Sequence, residues 1–178
     1  MTAPEYIQLK AFARIDGALL SVLWLCSFGC YVAGLTNPWL SMVGLLLIVL
    51  TPFFVAGRLR KFRDEALQGV ISFLRAYAYS ILIFFYAGIL FAIAQYAYFA
   101  YLDQGFLLGS LRQMIESPEA AEAIRQTGMG DALNESLNMM GQMRPIDVAL
   151  NMLSTNISIG IVLGLPIAAL LYRKSSTK

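Results

Sequence analysis

The chain has 178 residues, of which 58% are hydrophobic and 13% charged, with thirteen Lys and Arg, eleven Asp and Glu, and no His. A soluble globular domain carries about 25% charged residues. The composition therefore excludes an ordinary soluble domain and points to a chain that resides in a membrane. A bilayer core about 30 Å thick needs about 20 predominantly apolar residues per helix. Four uncharged runs meet that need, at residues 17–35, 39–56, 77–102 and 151–172. Their continuous apolarity, without period-two alternation, predicts helices rather than barrel strands.

Before the first run, "EYIQLKAFARIDG" sets Ile7, Phe12 and Ile15 among Lys10, Arg14 and Asp16, which predicts a helix entering the membrane through its interface. The apolar stretch continues past the length of a signal-peptide core and no small-x-small cleavage site follows it, so the run is expected to be retained. Asp16 lies close to the first span, where a carboxylate usually has a basic partner. Arg14 cannot face it on a helix, so the candidates are Arg58 and Arg75; a solvated interfacial acid is the other reading. Cys26 and Cys30, four residues apart, read as small packing residues, because a disulfide within one helical turn is geometrically poor.

The link "TNP" joins the first two spans. After the second, "GRLRKFRDEALQGVISFLRAY" places Leu59, Phe62, Ala66, Val70 and Phe73 at helical spacing beside basic residues. That pattern predicts an amphipathic helix lying among lipid headgroups. Arg58, Arg60, Lys61 and Arg63 are its candidate docking residues for lipid headgroups or a protein partner. The third span carries Tyr77, Tyr79, Tyr86, Tyr96, Tyr98 and Tyr101, four of them near its ends, where aromatic belts are expected. Gln95 lies toward its far end.

The loop at 103–150 carries helix signals. In "SPEAAEAIRQTG", Ser117 reads as an N-cap, Pro118 as the first helical residue and Gly128 as a stop. Asp131 opens a second helix that Gly141 closes. Met139, Met140 and Met143 are read as packing residues rather than a copper site, since no His or Cys accompanies them. Pro145 suits a helix start, with Asp147 an early-turn acid favoured by the helix dipole.

The last span begins with the polar sequence "MRPIDVALNMLSTNISIG". On an ideal helix Arg144, Asp147, Asn151, Ser154, Thr155 and Ser158 share an arc of roughly 100°, and Asn156 lies off it. Asn151, Ser154, Thr155 and Ser158 are expected to hydrogen-bond across a helix seam, with Gln95 as the partner of Asn151 or Ser154. Gly160 and Gly164 form a GxxxG, which permits close backbone approach. A substrate-lining face is the alternative reading of this stripe.

Ten of the thirteen Lys and Arg residues fall before the first span, between the second and third, or at the carboxyl end. The rule that basic loops stay in the cytoplasm then puts both termini inside and the acidic 103–150 loop outside. No His exists for acid–base work, no thiol sits beside a base, and no carboxylate cluster shares a membrane depth. The expectation is a chain that is not an enzyme, with no cofactor, no metal and no nucleic-acid partner.

The segments "FARIDGALLS", "RLRKFRDEALQGVISFLRAYAYSILIFFYA" and "MRPIDVALNMLSTNISIGIVLGLPIAAL" resemble the small inner-membrane proteins of Bacteroidota grouped as domain of unknown function 4199. The resemblance covers almost the whole chain and implies a multi-pass protein of a bacterial inner membrane. It transfers no catalytic residue, and it carries an association with polyprenyl-phosphate glycosyltransferases. The sequence thus predicts an all-α protein with one four-helix transmembrane domain over residues 1–178. Its expected role is that of an accessory or scaffold subunit for another membrane-associated protein, with membrane lipids or a second copy of the chain as further partners. The alternative is a small oligomeric transporter or channel that uses the polar face of the fourth span.

Overall fold

The computed structural model describes residues 3–173; Lys174 and Lys178 lie outside them. Helix α1, Ala3–Gly34, is continuous over 32 residues. At 1.5 Å per residue it is about 48 Å long, so it exceeds the hydrocarbon thickness and its first turns extend beyond it. Asn37 caps α2, Pro38–Val49, by accepting from the Trp39 N–H at 3.3 Å, with Pro38 at the first helical position. Leu50 keeps helical angles, so α2 passes almost directly into α3, Thr51–Lys61, and then into a π-helical turn, Phe62–Ala66.

The expected headgroup helix between the second and third spans is not formed. The second membrane-length helix instead continues to Ala66, and the chain turns through Gln68 and Gly69, both at positive φ (54° and 83°). Leu59 and Phe62 are buried in the core while Val70 is exposed, so the periodic apolar pattern belongs to a transmembrane helix end and a turn. Ile71 exchanges backbone hydrogen bonds with Arg173 at 3.1 and 3.0 Å, tying this turn to the carboxyl-terminal segment.

Ser72 caps α4, Phe73–Ala97, which ends in a second π turn, Tyr98–Leu102. Gly105, at φ 85°, leads into α5, Phe106–Ile115, a helix the sequence pattern did not reveal. Next come α6, Pro118–Thr127, capped by Ser117 and stopped by left-handed Gly128, and α7, Gly130–Gln142. Helix α8, Pro145–Leu171, opens where the Asp147 carboxylate accepts from the Arg144 backbone N–H at 3.2 Å.

Among the described residues four helices are long and apolar enough to cross a membrane: Ala3–Gly34, Pro38–Ala66, Phe73–Leu102 and Pro145–Leu171. They contain the four runs found in the sequence, apart from the flanking Leu35 and Tyr172. Helix α4 is the central element, packed between α1 and α8, and α2 packs on α1. The core is built from Leu20, Trp24, Val55, Leu59, Tyr79 and Phe84, with their neighbours. Polar groups are used inside it to fix register. The Trp24 indole N–H donates to Thr51 Oγ1 at 3.0 Å, and the Ser27 hydroxyl donates to the Gly44 carbonyl at 2.7 Å.

Candidate functional site

The two ends of the bundle differ in kind. At the end that holds the α3–α4 turn, Asp16 is 2% exposed. Arg58 Nε donates to its Oδ1 at 2.6 Å and Nη2 pairs with the same oxygen, while the Tyr79 hydroxyl donates to Oδ2. One carboxylate thus clasps α1, α3 and α4. Of the two expected basic partners, Arg58 is the one used. Tyr79 stacks on Phe62, with centroids 4.4 Å apart and planes 4° from parallel. It is not an interfacial belt residue but a buried member of this cluster.

Arg75 takes a second acid, Glu5, at 3.3 Å. Its Nε and Nη2 have no hydrogen-bond partner among the described residues, and its guanidinium lies 6.0 Å from the Phe62 ring centroid, a cation–π arrangement. Ionisable groups at membrane depth commonly mark function. Here both oxygens of Asp16 are engaged, so one carboxylate joins three helices.

The four basic residues expected to form one docking patch are divided. Arg58 faces inward to Asp16. Arg63 is 5% exposed, donates to the Leu171 carbonyl at 3.0 Å and pairs with Asp64. Only Arg60 and Lys61 point outward, each with an acid one turn on, Asp64 at 3.8 Å and Glu65 at 3.9 Å. The physical reason is the missing amphipathic helix. In a transmembrane rod ending at Ala66, alternate faces of "RLRKFR" meet the core and the solvent.

The stripe on α8 is likewise not the seam of this bundle. Asn151, Ser154, Thr155 and Ser158 are exposed and face away from the other helices. Ser154 and Ser158 return their hydroxyls to the carbonyls of Leu150 and Ser154, at 3.0 and 2.9 Å. Asn151 and Thr155 make no side-chain hydrogen bond among the described residues. The seam runs along the opposite face, through Ala149, Leu153, Asn156, Gly160 and Gly164. A Cβ built on Gly160 would overlap Phe84; one on Gly164 would lie 3.2 Å from the Tyr77 ring, and one on Gly88 would lie 3.1 Å from Leu153. The GxxxG therefore does bring two helices close, α8 and α4.

Gln95 does not meet Asn151 or Ser154. It is 3% exposed, and among the described residues its Oε1 and Asn156 Nδ2 have no hydrogen-bond partner. The antiparallel register, with Gly160 against Phe84 and Gly164 beside Ser80, places Gln95 level with Ala149 on the seam face rather than with the outward stripe.

At the other end of the bundle, residues of α5, α7 and the first turns of α8 line an open groove of about 370 Å³. Asp103 is among the lining residues, and its carboxylate accepts from the N–H groups of Gly105 and Leu107, both at 3.1 Å. Arg144 and Asp147 form an exposed pair at 2.8 Å beside it, and that hydrogen bond holds the Arg144 guanidinium above its usual value. No group of three or more His, Cys, Asp or Glu that could hold a metal occurs among the described residues.

A family model described as protein of unknown function, DUF4199, matches residues 16–173. No curated protein and no solved structure matches the chain.

Proposed function

The chain belongs to the family of unknown function DUF4199, and from that premise we propose that it is an accessory subunit of a bacterial inner membrane, docking another membrane protein on the outward face of α8. The observation that carries this is the orientation of the stripe: Asn151, Ser154, Thr155 and Ser158 face out at membrane depth, two of them without a side-chain hydrogen bond among the described residues. Lipid tails offer no partner for a carboxamide or hydroxyl, whereas a facing helix does, at about 0.6 kcal/mol per interhelical bond. The occupant is then a transmembrane segment with hydrogen-bonding groups of its own. A polyprenyl-phosphate glycosyltransferase is the partner to look for first, on the association that the resemblance carries. The distribution of Lys and Arg supports cytoplasmic termini, and a reporter-fusion map with Glu122 in the cytoplasm would overturn that orientation.

The test is affinity purification in mild detergent followed by mass spectrometry. A membrane protein should accompany the wild-type chain and be lost from the triple variant Ser154→Leu, Thr155→Leu, Ser158→Leu, whose outward positions leave the bundle intact. Recovery of the chain without any other protein, in several detergents and after cross-linking, overturns the reading. If the isolated homo-oligomer also supports flux into liposomes that Asn151→Leu abolishes, the oligomeric transporter replaces it.

A further inference from the structure

Helix α7 presents three faces on a rod of 3.6 residues per turn. Leu133, Leu137 and Gly141 fall together on the side that meets α5, where Leu137 is buried and a Cβ built on Gly141 would lie 3.1 Å from Leu108. Asp131, Glu135, Asn138 and Gln142 form a second, polar face. The third holds Ala132, Ser136, Met139 and Met140, continued by Met129 and Met143 at the two ends of the helix. These six share an arc of roughly 100°, carry no charge, and are all exposed. The methionines expected to pack within the chain therefore face outward, and neither α5 nor α6 covers them.

The height of α7 above the spans points to what covers this face. The rod Phe73–Leu102 has 30 residues and is about 45 Å long, which matches a bilayer with its headgroups, about 40–45 Å. Its last residue therefore stands at headgroup level, and so does the start of α8. Residues 103–105 alone separate that rod from α5, and Met143 and Arg144 alone separate α7 from α8. Two or three residues reach at most about 11 Å, so no spacer lifts the end of α7 into bulk water. The apolar surface is also continuous along the chain. Ile146 and Leu150 are exposed just after Met143, and Tyr101 and Leu102 are exposed just before α5.

We infer that the methionine face of α7 rests on the bilayer, its side chains inserted between the lipid headgroups and the upper acyl chains of the leaflet at that end. An amphipathic helix in this position buries its apolar face about 5–10 Å into the headgroup boundary, and flexible thioethers suit a fluid, irregular surface. The attraction is apolar. Residues 103–150 carry Arg112, Arg125 and Arg144 against seven Asp and Glu, so anionic headgroups do not draw this segment down. The contact is separate from the outward face of α8 proposed as the protein dock, and its test does not depend on any partner.

The test is a nitroxide scan of residues 129–143 in the full-length protein, in a Cys26→Ala, Cys30→Ala background, reconstituted in phosphatidylcholine vesicles with and without phosphatidylglycerol. Each label is read for collisions with oxygen, which concentrates in lipid, and with a water-soluble nickel chelate. A label at Leu46, exposed on α2, sets the lipid limit, and one at Glu122 sets the aqueous limit. Oxygen maxima should fall at Met129, Ala132, Ser136, Met139 and Met143, and nickel maxima at Asp131, Glu135, Asn138 and Gln142, out of phase and alike in both vesicles. All of these positions are exposed, so the result does not rest on labels at Leu133 or Leu137, which disturb packing. Oxygen and nickel maxima in phase place the methionine face in water and overturn the contact. Low collision rates for both reagents at Ser136 and Met139 mean that protein covers the face, and a pattern seen only with phosphatidylglycerol means attraction by charge; either result also overturns it.

Discussion

The end of the bundle at the α3–α4 turn and the end roofed by α5–α7 answer the same problem in opposite ways. Both bring polar groups to the edge of a membrane. At the first, Asp16 binds Arg58 and Tyr79, Arg63 binds the Leu171 carbonyl, and Ile71 pairs with Arg173, so three helices and the carboxyl-terminal segment are locked together. At the second, Asn151 and Thr155 make no side-chain hydrogen bond and Arg112 makes no ion pair among the described residues, and a groove remains open. Polar side chains at depth stabilise a fold only when they find each other. Those that do not are the places where something else is expected to bind.

The sharpest way to break the contrast is to unlock the closed end. Arg58→Ala leaves Asp16 buried without its cation, and loss of one partner of a buried pair costs about 3–5 kcal/mol. Thermal melting in detergent should show it as the largest drop of any single change discussed. Replacing the pair by apolar residues, Asp16→Leu with Arg58→Met, should recover most of that loss, because the desolvation cost of both charges disappears. If the single variant melts like the wild type, the clasp does not hold the helices and Asp16 must have some other role.

Next in size is a test of the α4–α8 seam. A methyl group on Gly160 would overlap Phe84, so Gly160→Ala should destabilise by about 1–3 kcal/mol, the usual cost of overpacking. Gly57, in α3, has nothing within 4 Å of the same position. Gly57→Ala should therefore stabilise by up to about 1 kcal/mol, the difference in helix propensity. Equal responses in melting at the two positions would mean that the GxxxG is not a close approach.

Much of this was readable beforehand, and the limits follow from particular residues. Continuous apolarity located all four spans, and local chemistry located Ser117, Pro118, Gly128 and Pro145 correctly, because caps depend on neighbours in sequence. The side a helix face turns to is a tertiary property. The polar stripe on α8 was read as a seam, with a substrate-lining face as the alternative, and the close approach at Gly160 and Gly164, on the opposite face, shows that the seam of this bundle lies elsewhere. Tyr79 had no distinguishing signal, since a tyrosine in a span reads first as a belt residue. The spacing in "RLRKFR" was helical as expected, but the helix it belongs to is the second span, and a periodicity of about 3.6 carries no information on where a rod ends.

The smallest expected effect lies in the same six residues. Arg60 and Lys61 have side chains 71% and 52% exposed and acids at 3.8 and 3.9 Å, and exposed ion pairs contribute about 0–1 kcal/mol. Arg60→Gln with Lys61→Gln should shift melting by no more than that, and by less still in high salt, where screening acts on exposed pairs first. Arg63→Gln, one residue beyond Phe62, should cost more, because it frees the Leu171 carbonyl and its own buried position must still be filled. Melting curves at low and high salt separate the cases: the double variant should lose its small effect as salt rises and Arg63→Gln should keep its larger one. A double variant that melts as low as Arg63→Gln would show that the outward pair, too, belongs to the locked end, and the division of this basic segment into buried and solvent-facing halves would fail.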